Sequence, residues 1–154
     1  MSEGSATTTM EASSKNDSLH TRFAKEREDW TTRITSLTER LKNIYDVADL
    51  LTDLYTHRQL AGDYIHELVA LSTRLNRAYR ERKKERFLFY TQNYDLRLDK
   101  DPKMLFIDVD LAEIVERREM LQNHLDYMRE TLRSVDTICY GVKHRISLEE
   151  YRRG

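Results

Sequence analysis

Residues 80–94, RERKKERFLFYTQNY, hold five basic and four aromatic side chains within fifteen positions. Single-stranded nucleic acid needs both types: cations along its backbone, and flat rings on which bases stack at roughly 1–3 kcal/mol each. The charge extends upstream. In residues 74–86, Arg74, Arg77, Arg80, Arg82, Lys83, Lys84 and Arg86 are opposed only by Glu81 and Glu85. The whole chain has a net charge of −1, so any pull on a polyanion is local to this segment. On a helix, Arg77, Arg80 and Lys84 share one face, and Arg82 and Arg86 another. The candidate nucleic-acid contacts are Arg77, Arg80, Lys83, Lys84, Arg86, Phe89 and Tyr90. A plainer reading competes with this one. A charged helix end is usually a solvated face, and Phe87 and Phe89 would plug the end of a helical hairpin.

Other chemistry is hard to find in the sequence. The five histidines, at 20, 57, 66, 124 and 144, include no pair three or four apart, so no helical metal pair forms. Cys139 is the only cysteine, which excludes an intrachain disulfide and a zinc cluster. No glycine-rich phosphate cradle is present. Asp108, Asp110 and Glu113 form an acidic group, which helix capping explains better than catalysis. The sequence therefore points away from an enzyme, and no cofactor or metal is expected.

The elements that position these residues follow from composition and period. Charged residues make up 34% of the 154 positions, with one Pro and four Gly, which favours long helices over a sandwich or doubly wound sheet. Residues 1–18 are Ser- and Thr-rich with almost nothing to bury, and read as a mobile tail. Residues 19–154 read as a single helical domain. A heptad-like stripe runs Ile34, Leu37, Leu41, Ile44, Ala48, Leu51, Tyr55. It changes phase near Arg58, which predicts a stutter in one long helix or a break at LAGDY, residues 60–64. Alternating apolar residues over Phe87–Val109, around Pro102, predict short extended pieces or a small hairpin. From Asp110, whose spacing to Glu113 suits a capping pair, a strict stripe runs Leu111, Ile114, Arg118, Leu121, Leu125, Met128, Leu132, Val135, Cys139, Val142. Gly141 is expected to loosen that helix, and Ser147 and Glu150 to cap a last short turn.

The predicted fold is mainly α: a long helical hairpin or coiled-coil-like bundle with a short irregular or β-like connector. So narrow a stripe needs partner helices, which also predicts a homo-oligomer. No apolar run approaches the roughly 20 residues of a membrane span. The polar N-terminus is no secretory signal. A cytoplasmic protein without a membrane partner is expected.

Three stretches carry a resemblance: KKERFLFYTQ, then YDLRLDKDPKMLFIDVDLAEIVERREML, and the ending YGVKHRISLEEYRRG. Over roughly residues 45–154 the chain resembles the UvsY family, the recombination mediators of T-even-type bacteriophages. The resemblance implies a non-enzymatic accessory protein, phage-encoded and acting in the host cytoplasm, that forms ring-like homo-oligomers and binds single-stranded DNA. Such a protein helps a RecA-like phage recombinase displace the phage single-strand-binding protein. It further implies a DNA-binding motif at Lys84, Arg86, Phe89, Tyr90 and Thr91, with Leu88 replacing the usual acidic or polar residue. Self-assembly would fall around Val142, Lys143, His144, Ile146 and Tyr151, and residues 19–44 would be an N-terminal extension. A structural coiled-coil scaffold or virion assembly protein is the alternative, and it would have no use for the cation–ring cluster.

Overall fold

A computed structural model describes residues 3–154, with side chains from residue 11 onward except residue 12. Among the described residues 93% are helical and none is in a strand. Helix α1 spans Glu3–Arg40, α2 spans Val47–Leu88, and α3 spans Lys100–Arg153. A 3-10 turn, Ile44–Asp46, precedes α2, and a π-helical turn, Phe89–Asn93, follows it. The mainly α prediction therefore stands in its coarse form, with three long helices where a hairpin plus an extension was expected.

The first correction concerns residues 34–55. The stripe that looked continuous is cut by the turn at residues 41–46. Three i→i+3 bonds, from Leu41, Lys42 and Asn43 N to Thr38, Glu39 and Arg40 O, close α1 at 3.1–3.2 Å. Asn43 then caps the 3-10 turn by accepting from Tyr45 N at 3.0 Å. Arg40 holds the turn shut, reaching Asp46 at 2.6 Å and Asp53 at 2.5 Å. Capping chemistry overrides the apolar period here.

Helix α2 has no break at residues 60–64 and no phase change. Its inward positions step through Leu50, Leu54, His57, Ala61, Tyr64 and Leu68 without interruption. Polar residues at two of these steps disguised a regular seam as a shifted one.

The predicted strands over Phe87–Val109 are absent. Helix and π turn run to Asn93, residues 94–99 are irregular, and α3 starts at Lys100, ten residues before the expected Asp110 start. The carbonyl of Asp99 accepts from Lys103 N at 3.1 Å, so Asp99 stands at the helix's mouth. Pro102 occupies the first turn, where a missing N–H costs nothing. Of the alternating Leu105, Ile107 and Val109, only Ile107 is buried; the inward spacing is Met104, Ile107, Leu111. Downstream, α3 passes Gly141 unbroken, and Ser147 Oγ donates back to Lys143 O instead of capping a new turn.

The chain folds as two compact units, residues 3–21 with 69–123 and residues 22–68 with 124–154, and each long helix supplies a stretch to both. In the second unit, Leu37 of α1 and Val47, Leu50 and Leu54 of α2 pack with Val135, Ile138, Cys139 and Val142 of α3. Arg58 pairs with Asp136 at 2.6 Å, and Tyr64 lies beside His124, so α2 runs antiparallel to α3. Tyr127 donates to Arg27 O at 2.8 Å and Arg145 donates to Leu41 O, so α1 runs parallel to α3. In the first unit, Tyr90, Ile107 and Leu111 form the core with Tyr79, Met104 and Ile114. The polar intruder Arg118 is explained there: its guanidinium lies 4.2 Å from the Tyr79 ring centroid and its Nε donates to Asn76 at 2.8 Å.

The stretch read as a tail is helical from Glu3, and its Asn16 is buried in the first unit. Asn16 Nδ2 donates to Glu113 O at 3.1 Å and Glu116 at 2.9 Å, while Oδ1 accepts from Arg117 at 3.0 Å. Polar satisfaction, invisible to hydropathy, anchors it. Residues 1 and 2 lie outside the described residues.

Core burial makes a direct prediction. Leu54→Ala should destabilise the protein by ~2–5 kcal/mol in urea denaturation, because Leu54 is fully enclosed. Tyr45→Ala should stay within ~0.5 kcal/mol of wild type, since Tyr45 stands in solvent.

Candidate nucleic-acid interface

The expected contact residues lie near the end of α2 in the first unit, but they divide into an outward and an inward group. Arg77, Arg80 and Lys84 are exposed on one side. Arg77 pairs with Glu81 at 3.0 Å, both well solvated, so the pair holds it weakly. Arg80 and Lys84 form no ion pair among the described residues and sit one helical turn apart, about 6 Å along the axis. Phe87, three residues beyond Lys84, keeps 46% of its surface in solvent.

Arg86 and Tyr90 point the other way. Arg86 Nε donates to Asp110 at 2.7 Å, and its guanidinium lies 4.5 Å from the Phe89 centroid and 5.2 Å from that of Tyr90. The Tyr90 hydroxyl donates to the same Asp110 oxygen at 2.7 Å. Asp110, read from sequence as half of a capping pair, is therefore the acceptor joining α2 to α3. Burial works against the Arg86 charge, but hydrogen bonds with Tyr90 and Asp110 outweigh it and raise its pKa. Burial, and then the Asp110 carboxylate, push the Tyr90 phenol up. Both shifts favour the protonated forms, so Arg86 and Tyr90 keep their protons at neutral pH.

Tyr90 is only 8% exposed, and its ring meets Phe89, Tyr94 and Phe106 at centroid distances of 5.1, 5.2 and 5.7 Å. Phe106 stacks on the Tyr90 ring, and Phe89 and Tyr94 meet it edge-on, so the ring is already occupied by its neighbours. Phe89 is partly buried against that cluster. Lys83 is half-buried, with Nζ 5.8 Å from the Tyr79 ring. Of the seven candidate contacts named from sequence, Arg77, Arg80 and Lys84 are the exposed ones, and Phe87 beside them is half-exposed.

Sequence reasoning missed one member of this surface. Lys103 of α3 places Nζ 5.3 Å from the Phe87 ring centroid and 3.3 Å from Thr91 Oγ1. No local pattern marks it, because the connector brings it there from thirteen residues beyond Tyr90.

The expected assembly residues also divide. Val142 is fully enclosed in the second unit's core and Ile146 packs against that core, so the fold of one chain uses both. Lys143 lies 5.6 Å from the Tyr55 ring, and Lys143, His144 and Tyr151 are exposed, Tyr151 by 86%.

A second polar constellation was not legible in the sequence because each residue comes from a different helix. In the second unit, Glu26 of α1 accepts from the Tyr64 hydroxyl of α2 and from His124 Nε2 of α3 at 2.8 Å. Arg22 reaches the other Glu26 oxygen at 2.9 Å. Phe23 stacks on the His124 ring with centroids 4.0 Å apart. His124 is completely buried, and with Nε2–H given to Glu26 its Nδ1 is an acceptor with no partner among the described residues. The His124 ring is closed off while the Glu26 side chain stays 26% exposed, and the group is a polar tie among three helices.

Among the described residues no group of three or more His, Cys, Asp or Glu could hold a metal ion, and no helix is long and apolar enough to cross a membrane. No family model, curated protein or solved structure matches the chain.

The buried tie predicts acid sensitivity. Burial lowers the His124 pKa below its ordinary 6.5, with Glu26 opposing in part. Burial alone would raise Glu26, but hydrogen bonds from Tyr64, Arg22 and His124 hold it below 4.5. In both cases the unfolded chain binds the proton more readily, so stability is full above the unfolded pKa and falls with acid. The Tm should decline as pH drops below about 6.5 and again below about 4.5. His124→Phe should remove the upper part of that decline. A Tm insensitive to pH between about 7 and 5 would contradict the assignment.

Proposed function

We propose that this protein binds single-stranded DNA through the outward face of α2 and acts as a non-enzymatic recombination mediator. The observation that carries the binding reading is the exposed couple Arg80 and Lys84, without an ion pair among the described residues, one turn apart and followed by the half-exposed ring of Phe87. Arg77 and Lys103 extend the positive surface on either side. Cations along a strand's backbone and a ring for a base make a sequence-tolerant grip. The mediator role rests on the resemblance of residues 45–154 to the UvsY family. In that role the protein loads a RecA-like phage recombinase onto strand otherwise coated by single-strand-binding protein.

Avidity is the physical means. A single patch of a few cations binds weakly, but copies in a ring-like homo-oligomer raise overall affinity by roughly 10²–10⁴. A strand wound over successive patches is bent and held off its coat protein. The exposed Lys143, His144 and Tyr151 are the remaining candidates for contact between copies.

The test is fluorescence anisotropy with a labelled oligo(dT) across a salt series. The double variant Arg80→Ala with Lys84→Ala should bind more weakly, and the slope of log K against log salt should flatten by about 1.4, or ~0.7 per lost phosphate contact. Phe87→Ala should lose roughly 1–3 kcal/mol. Arg86→Ala should instead lower the Tm, because its bond to Asp110 belongs to the fold. Unchanged affinity and slope in the double variant would refute the interface. Absence of any single-strand binding by wild type would leave a helical scaffold as the better reading.

A further inference from the structure

The first unit carries an open groove of about 410 Å³ on the side where α1 faces α2. Its floor is aliphatic: Leu19 of α1, Leu71, Leu75 and Ala78 of α2, and Leu121 of α3. The groove exists because α1 is tied to α3 through Asn16, while small Ala78 leaves the α2 side unfilled. Three cations, Lys15, Arg74 and Arg117, complete the lining, one from each helix, and no acidic residue lines it. Lys15 and Arg74 form no ion pair among the described residues, and Arg117 bonds the neutral Asn16 amide.

We infer that this groove docks an acidic amphipathic segment of a partner protein, with apolar side chains on the leucine floor and carboxylates toward the three cations. Charge complementarity selects the occupant, since three cations around an apolar trough whose own lining holds no acid attract a segment that is both acidic and greasy. A helix laid into a groove matches this combination through residues spaced three and four apart. The floor also argues against DNA here. It has no aromatic ring among its residues, and bases bind chiefly by stacking on rings. The inference does not depend on the proposed DNA interface, whose ring and cations are Phe87, Arg80 and Lys84.

The experiment uses the full chain and a fluorescein-labelled helical peptide with leucine and phenylalanine on one face and aspartate and glutamate on the other. Saturable binding is expected. It should weaken on the order of tenfold in Lys15→Glu, which reverses one rim charge, and in Ala78→Trp, which fills the floor. Both positions are exposed, and an unchanged thermal melt checks that the variants fold. A scrambled peptide of the same composition should bind poorly, and oligo(dT) should not displace the helical one. No saturable binding, equal binding of the scrambled peptide or equal binding by both variants would overturn the inference. Displacement by oligo(dT) would assign the groove to nucleic acid. A change in native assembly mass with Ala78→Trp would assign it to a second copy of this chain.

Discussion

A charged helix with a narrow apolar seam cannot bury that seam alone, and in each unit of this protein three helices share the task. The constraint is severe for a chain in which 34% of the residues are charged. Each helix has one inward row, and everything else must live in water or find a partner. Leucine, valine and isoleucine fill most inward positions, but Asn16, Tyr64, His124 and Thr131 occupy several. Each is tolerated because another helix or its own turn supplies a hydrogen bond; Thr131, for example, donates to Tyr127 O at 3.0 Å. Buried polar ties of this kind add register to an interface that leucines alone would leave free to slide.

The same constraint sorts the basic-aromatic segment. Its residues are neighbours in sequence, yet the turn of the helix sends Arg86 and Tyr90 inward and Arg80 and Lys84 outward. The inward pair meets Asp110 and closes the end of α2 against α3. The outward pair meets no carboxylate among the described residues. A motif that looks uniform as a string of letters thus becomes a structural clamp on one side and an open cationic face on the other. The clamp supports the face, since it fixes the last turns of α2 and brings Lys103 beside Phe87.

Much of this was legible in the sequence, and what was not has physical causes. The α3 stripe from Leu111 to Val142 reads directly, because one apolar residue per turn leaves no other periodicity to choose. The break between α1 and α2 did not, because the stripe runs through a turn set by Arg40 and Asn43. Extended pieces around Pro102 were predicted from alternation that places Leu105 and Val109 in solvent, where alternation has no meaning. Asp99 followed three residues later by Pro102 was the better signal of a helix start. Within the candidate interface, the cations were visible but their orientation was not. That depends on Asp110, twenty-four residues from Arg86, and no local rule couples the two.

The central claim is that unpaired DNA lies along the outward face of α2. Photo-crosslinking of a bromouridine-substituted single strand, followed by peptide mass spectrometry, tests this most directly. The account predicts adducts on the peptides carrying Arg80, Lys84, Phe87 and Lys103, suppressed as salt rises. Adducts confined to other parts of the chain, or none at low ionic strength, would contradict it.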